Sequence, residues 1–351
     1  MQRIYLDYAA STPVDEDVLK AMMPYFSEKY GNPSSVHAFG QEAQAAVDKA
    51  RAKVAGVLGS LAQEVIFTGS ATEANNLATL GVLREAAKKV KSPHVITSQI
   101  EHESVLEPLL YAEKELGVRV TRLPVTKEGL VRSEDVRAAL SPETVLVSLI
   151  YANNEIGTIQ PITEISEIIK EHNKLPATSY QLPALFHTDA AQAANYLPLG
   201  VAALGVDMLT LSAHKVYGPK GVGTLFVKRG TPLAPLVQGG GQEYGKRSGT
   251  ENVSAVVGLG EALARADAQR EERARAAREL RDFFLGKISS AMPEASLNGA
   301  HEPRLPHIAN LLFPGVPAQE LIMALDMEGI AVSAGSACQS KALAESHVLS
   351  A

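Results

Sequence analysis

Short apolar runs alternate with amphipathic stretches along most of the chain, a pattern that predicts βαβ units around a mostly parallel sheet. In EVIFTGSATEANNLATLGVLREAAKK a strand ends at Thr68, small residues turn the chain, and a helix opens near Thr72. HVITSQIEHESVLEPLLYAEKEL repeats strand, turn and helix. TVLVSLIYANNEIG, ALFHTDAAQ and VDMLTLSAHK add three strands, each running into polar residues at its C-terminal end. The five polar clusters therefore belong on one edge of the sheet, where open parallel sheets bind their ligands.

Two stretches break the pattern as loops: residues 172 to 184, with two prolines, and the glycine-rich LVQGGGQEYGKRSGTEN from 236 to 252, which holds Arg247, Ser248 and Thr250. Residues 255 to 290 read as a long helical stretch dense in Ala, Glu and Arg, with its charges on a solvated face. Beyond it, IANLLFPGVPAQELIMALDMEGIAVSAGSAC gives strand, helix and strand, enough for a small α+β domain. The expected division is a large domain over 15–255 and a small one built from 1–14 and 256–351.

With 351 residues, 46% hydrophobic and 21% charged, the chain can bury a large core. A net charge of -6 leaves no basic stripe for a nucleic-acid backbone. No apolar run reaches the ~18 residues of a membrane helix, and MQRIYLDYAASTPVDED turns acidic where an export signal has its apolar core. The single cysteine, Cys338, permits no intrachain disulfide, so a reducing, cytoplasmic compartment is expected. The nine histidines show no metal-ligand spacing.

Lys215, in LSAHKVYGPKGVG, leaves an apolar strand beside Ser212 and His214, and glycines follow it. A Schiff-base lysine needs such a desolvated place, which lowers the amine pKa. Asp189 ends another strand 26 residues upstream. It is either a helix cap or a buried carboxylate that holds a proton on a pyridine nitrogen. The turn GSAT before a helix suits a phosphate, with Ala71 and Thr72 at the anion and Ser212, His214 and Thr250 as further donors. Together these placements make a site for pyridoxal phosphate. His102 is placed to stack on the ring or to move protons, while Asn154 and Gln192 offer strand-end amides. Cys338, among small polar neighbours in VSAGSACQSKA, reads as a loop nucleophile.

Across nearly its whole length the chain resembles the group I (NifS/IscS-like) cysteine desulfurases, class V pyridoxal-phosphate enzymes of aminotransferase fold. The matching stretches are YLDYAASTPVD, GNPSSVHAFG, FTGSATEANNLA, EHESVL, NNEIGTIQPI, HTDAAQ, SAHKVYGPKGVG, GGGQEYGKRSGTEN and SAGSAC. The resemblance implies Lys215 as the Schiff-base lysine and Cα base, Asp189 as partner of the pyridine nitrogen, and His102 stacked on the ring. It implies Gln192 and Asn154 as ring contacts, and Ala71, Thr72, Ser212 and His214 as the phosphate cup. Thr250 would serve a neighbouring subunit's phosphate, hence a homodimer. Cys338 would receive sulfur from L-cysteine as a persulfide, leaving L-alanine, for an iron-sulfur scaffold or another acceptor.

This chain departs from that family in three ways. It reads Gly69-Ser70 where relatives often read Ser-Gly, and it is longer between Asn154 and Asp189. Relatives also continue past the place of Ala351 with a segment holding a substrate-carboxylate arginine, so weaker cysteine binding and a less stable small domain are expected. The rivals are another class V enzyme, a selenocysteine lyase or an aminotransferase, and a non-catalytic binding protein of the same fold.

Overall fold

The computed structural model describes residues 3–175, 182–335 and 345–351. A seven-stranded sheet organises it. After a short strand β1 (Ile4–Tyr5), the sheet strands are β2 (Val65–Thr68), β3 (His94–Ser98), β4 (Arg119–Leu123), β5 (Thr144–Ile150), β6 (Leu185–Asp189), β7 (Met208–Ser212) and β8 (Gly223–Val227). Their spatial order is β2-β8-β7-β6-β5-β3-β4. The pairs from β4 to β7 are parallel, whereas β8 runs antiparallel to both β7 and β2. The strands ending at Thr68, Ser98, Ile150, Asp189 and Ser212 consequently share one direction, and their polar C-terminal ends meet on one sheet edge as expected.

The central strands are buried on both faces, which is why they read as continuous apolar runs rather than alternating ones. Successive side chains leave a strand on opposite faces. Val65 and Phe67 accordingly join one core layer and Ile66 the other. The first layer is covered by helices α1 (Glu16–Met22) and α2 (Ala38–Leu58), the second by α3 (Ala71–Ala86) and α4 (Glu103–Leu116).

The helical stretch after 252 is two helices, α5 (Val253–Ala268) and α6 (Arg270–Ala291), which meet at Gln269 (φ -106°, ψ 5°). The first lays Val256, Leu259 and Leu263 into the first core layer, whereas Arg281 alone is buried in the second. The solvated face expected for the whole stretch thus belongs to α6. Past it, β9 (Ser296–Leu297) pairs antiparallel with β10 (Leu311–Leu312), and helix α7 (Ala318–Met327) leads to β11 (Ile330–Ala331). β11 pairs parallel with β1, tying the start of the chain to its last third. Among the described residues, no helix is long and apolar enough to cross a membrane. Of the predicted 172–184 loop, residues 176–181 lie outside the described residues.

Candidate active site

The site grows from the ends of β6 and β7, which are neighbours with Asp189 opposite Thr210. Asp189 closes β6 and is 5% exposed. One carboxylate oxygen accepts the Ala191 N–H (3.0 Å) and the other accepts from Asn75 Nδ2 (2.7 Å). Beyond Ser212 the chain makes a single 3-10 turn that delivers Lys215. Its Nζ donates to the carbonyls of Ala9 and Ala10, and Gln192 Nε2 donates to the same Ala9 oxygen (2.9 Å). Thr12 fastens this N-terminal strap: its N–H donates to the His214 carbonyl (2.9 Å), and its Oγ1 accepts the Tyr217 N–H (2.8 Å). Tyr217 pays for the turn with a left-handed backbone, φ 63°.

The turn expected to receive a phosphate is the N-terminus of α3. Ser70 caps it by accepting the Glu73 N–H (3.1 Å), and Glu73 in turn accepts the Gly69 N–H (2.7 Å). Among the described residues the N–H groups of Ala71 and Thr72 meet no acceptor, so donors and helix dipole together favour an anion there. Gly223 packs under this turn, where a Cβ would come within 2.5 Å of the Ser70 carbonyl carbon. Ser212 is buried. His214, whose Nδ1 lies 3.3 Å from Ser11 Oγ, has its pKa lowered to about 4 by burial first and then by Lys215 and Lys220. It is neutral near pH 7.

His102 stands at the N-cap of α4, where Nδ1 accepts the Ser104 N–H (3.1 Å) and lies 2.8 Å from Ser104 Oγ. Beside it Glu101 is 1% exposed, bonded by Ser98 Oγ, with its pKa raised to about 8 chiefly by burial. Asn154 is half-buried in the turn after β5. Thr250 is exposed on the 236–252 loop and makes no hydrogen bond to the other candidates among the described residues. Cys338 lies outside the described residues. Among the described residues no His, Cys, Asp or Glu cluster suits a metal.

Lys215 and Gln192 therefore meet through the Ala9 carbonyl, and Asp189 and His102 through Asn75 and Ser104. Sequence reasoning passed over Asn75, Ser104, Glu101 and the Ala9–Ala10 carbonyls. The available signal was an asparagine on the apolar face of a helix, at Asn75 in ATEANNLATL. The donor set fits a phosphorylated pyridine aldehyde: an amine, a buried carboxylate, and a helix terminus with free N–H groups.

The class-V aminotransferase family model matches residues 4–350. A protein of Dictyoglomus turgidum named cysteine desulfurase IscS is 46% identical over 350 residues, covering 100% of this chain and 86% of that protein. Cysteine desulfurase IscS 1 of Archaeoglobus fulgidus is 44% identical over 347 residues, 99% of this chain and 87% of its own. Among solved structures, a NifS-like protein superposes with a TM-score of 0.90 at 37% identity, over 99% of this chain and 89% of that one. A structure described as SspA in complex with cysteine gives 0.84 at 36% identity, over 99% and 94%. The chain belongs to the class-V aminotransferase family and, within it, to the pyridoxal-phosphate-dependent cysteine desulfurases.

Proposed function

We propose that this protein takes sulfur from L-cysteine, yielding L-alanine, and carries it as a persulfide on Cys338. The observation that carries the reading is the placement of Lys215 and Asp189 at the ends of adjacent strands, on the sheet edge where the α3 N-terminus offers its N–H groups.

In this reading Lys215 holds the cofactor through its amine, and Asp189 keeps the pyridine nitrogen protonated. Ala71, Thr72, Ser212 and His214 bind the phosphate, to which Thr250 of a second copy adds a donor in a homodimer. His102 stacks on the ring, with Asn154 and Gln192 at its polar edge. Bound pyridoxal phosphate supplies an electron sink in conjugation with the substrate Cα.

The Lys215 amine, when not engaged with the cofactor, would remove the substrate Cα proton, a role suited to an amine in a partly desolvated site. The Cys338 thiolate then forms an S–S bond with the substrate sulfur as the Cβ–S bond breaks. The electron pair of the broken bond stays with carbon and is protonated, so alanine leaves and one sulfur atom remains on Cys338. An iron-sulfur scaffold or another acceptor protein takes that sulfur, and the cytoplasm is the compartment that a lone reactive thiol suits. The division into domains over 15–255 and over 1–14 with 256–351 belongs to the same reading.

Borohydride reduction of the holoenzyme followed by peptide mapping is expected to fix the cofactor on the peptide containing Lys215. Cys338→Ala is expected to keep that attachment and to lose alanine formation from cysteine. Alanine formation at the parent rate in Cys338→Ala would instead favour another class V activity, and attachment at a different lysine would overturn the site.

A further inference from the structure

Asn75 is fully buried on α3, between the two groups assigned to the cofactor ring. Its Nδ2 donates to Asp189 (2.7 Å) and to Ser104 Oγ (2.8 Å), which uses both amide hydrogens. Its Oδ1 is buried with no hydrogen-bond partner among the described residues. Turning the amide over would set that oxygen against a carboxylate, so the hydrogen-bond network gives the amide one orientation. An orphaned buried carbonyl costs stability. That the site retains it points to a role other than holding the fold.

The polarity propagates. Ser104 Oγ accepts from Asn75, so its own hydrogen is directed to His102 Nδ1 at 2.8 Å. The Ser104 N–H also reaches Nδ1, at the longer distance of 3.1 Å. Both contacts present Nδ1 as an acceptor, the geometry of a ring whose hydrogen is on Nε2.

We propose that Asn75 and Ser104 are positioning residues that hold His102 as the neutral Nε2–H tautomer while aligning Asp189, so that His102 donates a hydrogen bond and is no base. The proposal rests on the reading that Asp189 and His102 serve the cofactor. Its chemical consequence is a division of labour: with Nδ1 occupied as an acceptor and Nε2 already protonated, His102 cannot compete with Lys215 for the Cα proton. Of the carboxyls around the cluster, Asp189 is bonded by Asn75, Glu155 lies within electrostatic reach of His102, and Glu101 is kept protonated near neutral pH by burial.

The test is ring-nitrogen NMR of 15N-histidine-labelled protein at pH 7.5, on the holoenzyme and on the chain stripped of cofactor, with His102 assigned by its loss in His102→Gln. The parent is expected to show an unprotonated Nδ1 and a protonated Nε2. Ser104→Thr, which keeps the hydroxyl, is expected to preserve this pattern, whereas Asn75→Leu and Ser104→Ala are expected to mix in the other tautomer or the cation. Asn75→Leu is also expected to bind pyridoxal phosphate about tenfold more weakly, as the loss of one hydrogen bond to a charged group implies. If Asn75→Leu does not fold, Ser104→Ala carries the test, because it removes only the middle link. A protonated Nδ1 in the parent, or an unchanged pattern in both variants, overturns the proposal. Because tautomers are read without turnover, an inactive parent with the expected tautomer would count against the desulfurase reading and leave this one standing.

Discussion

Two carboxyls sit in the same buried cluster and are held in opposite ways. Asp189 accepts two N–H bonds, from Asn75 and Ala191, one on each carboxylate oxygen. Glu101 receives the Ser98 hydroxyl, but its second oxygen is buried without a hydrogen bond among the described residues, and Asp189 repels its charge. Its pKa in the fold is about 8 against 4.5 in an open chain. The native state thus keeps a proton that the unfolded state loses between those values, and stability falls as pH rises through that window. Glu101→Gln removes the titration. The Tm of this variant relative to the parent is expected to rise by a few degrees between pH 5 and pH 8.5; a constant difference would contradict the assignment. Asp189 and Lys215 were legible in the sequence because each ends an apolar run. Asn75 was not, since its partner lies 114 residues away and only the folded sheet brings them together.

At the scale of elements, the glycine-rich 236–252 loop is shaped by charge as well as glycine. Glu243 (φ 50°) and Tyr244 (φ 57°) are both left-handed, which is unfavourable for side-chain-bearing residues. They are held by a buried bidentate pair between Arg51 on α2 and Glu243, at 2.7 and 2.8 Å. Glu243 also accepts the Phe67 N–H on β2 (2.9 Å), and Arg51 donates to the Val65 carbonyl (2.6 Å). Nearby, Arg247 donates to Glu73 in the first turn of α3 (2.8 Å), so the loop that carries Thr250 is tied to the sheet and to that helix start. Arg51→Met leaves Glu243 buried without its partner and is expected to cost about 3–5 kcal/mol in chemical denaturation. Adding Glu243→Gln removes the stranded charge and is expected to recover part of that loss. A single variant as stable as the parent would show that the pair does not hold the loop. The loop itself was readable from its glycines, whereas its anchors are long-range ion pairs that local pattern does not carry.

At the scale of the molecule, strand order converts scattered motifs into one site. Parallel direction places five strand ends together, and that much followed from hydrophobic patterning, because period and strand polarity are written locally. The strap over Lys215 did not follow. Residues 9 to 12 reach the site only because β1 pairs with β11 and Thr12 bonds to the turn after β7, contacts that span most of the chain. The matching motifs, rather than periodicity, connected Cys338 to Lys215. The central claim is that the two act in one turnover. A single-turnover reaction of the holoenzyme with stoichiometric cysteine and no reductant tests it most directly, by counting alanine and mapping sulfur on the protein. One alanine per site together with one added sulfur atom on Cys338 is the predicted result; alanine without sulfur on Cys338, or no alanine from protein that carries its cofactor, would contradict it.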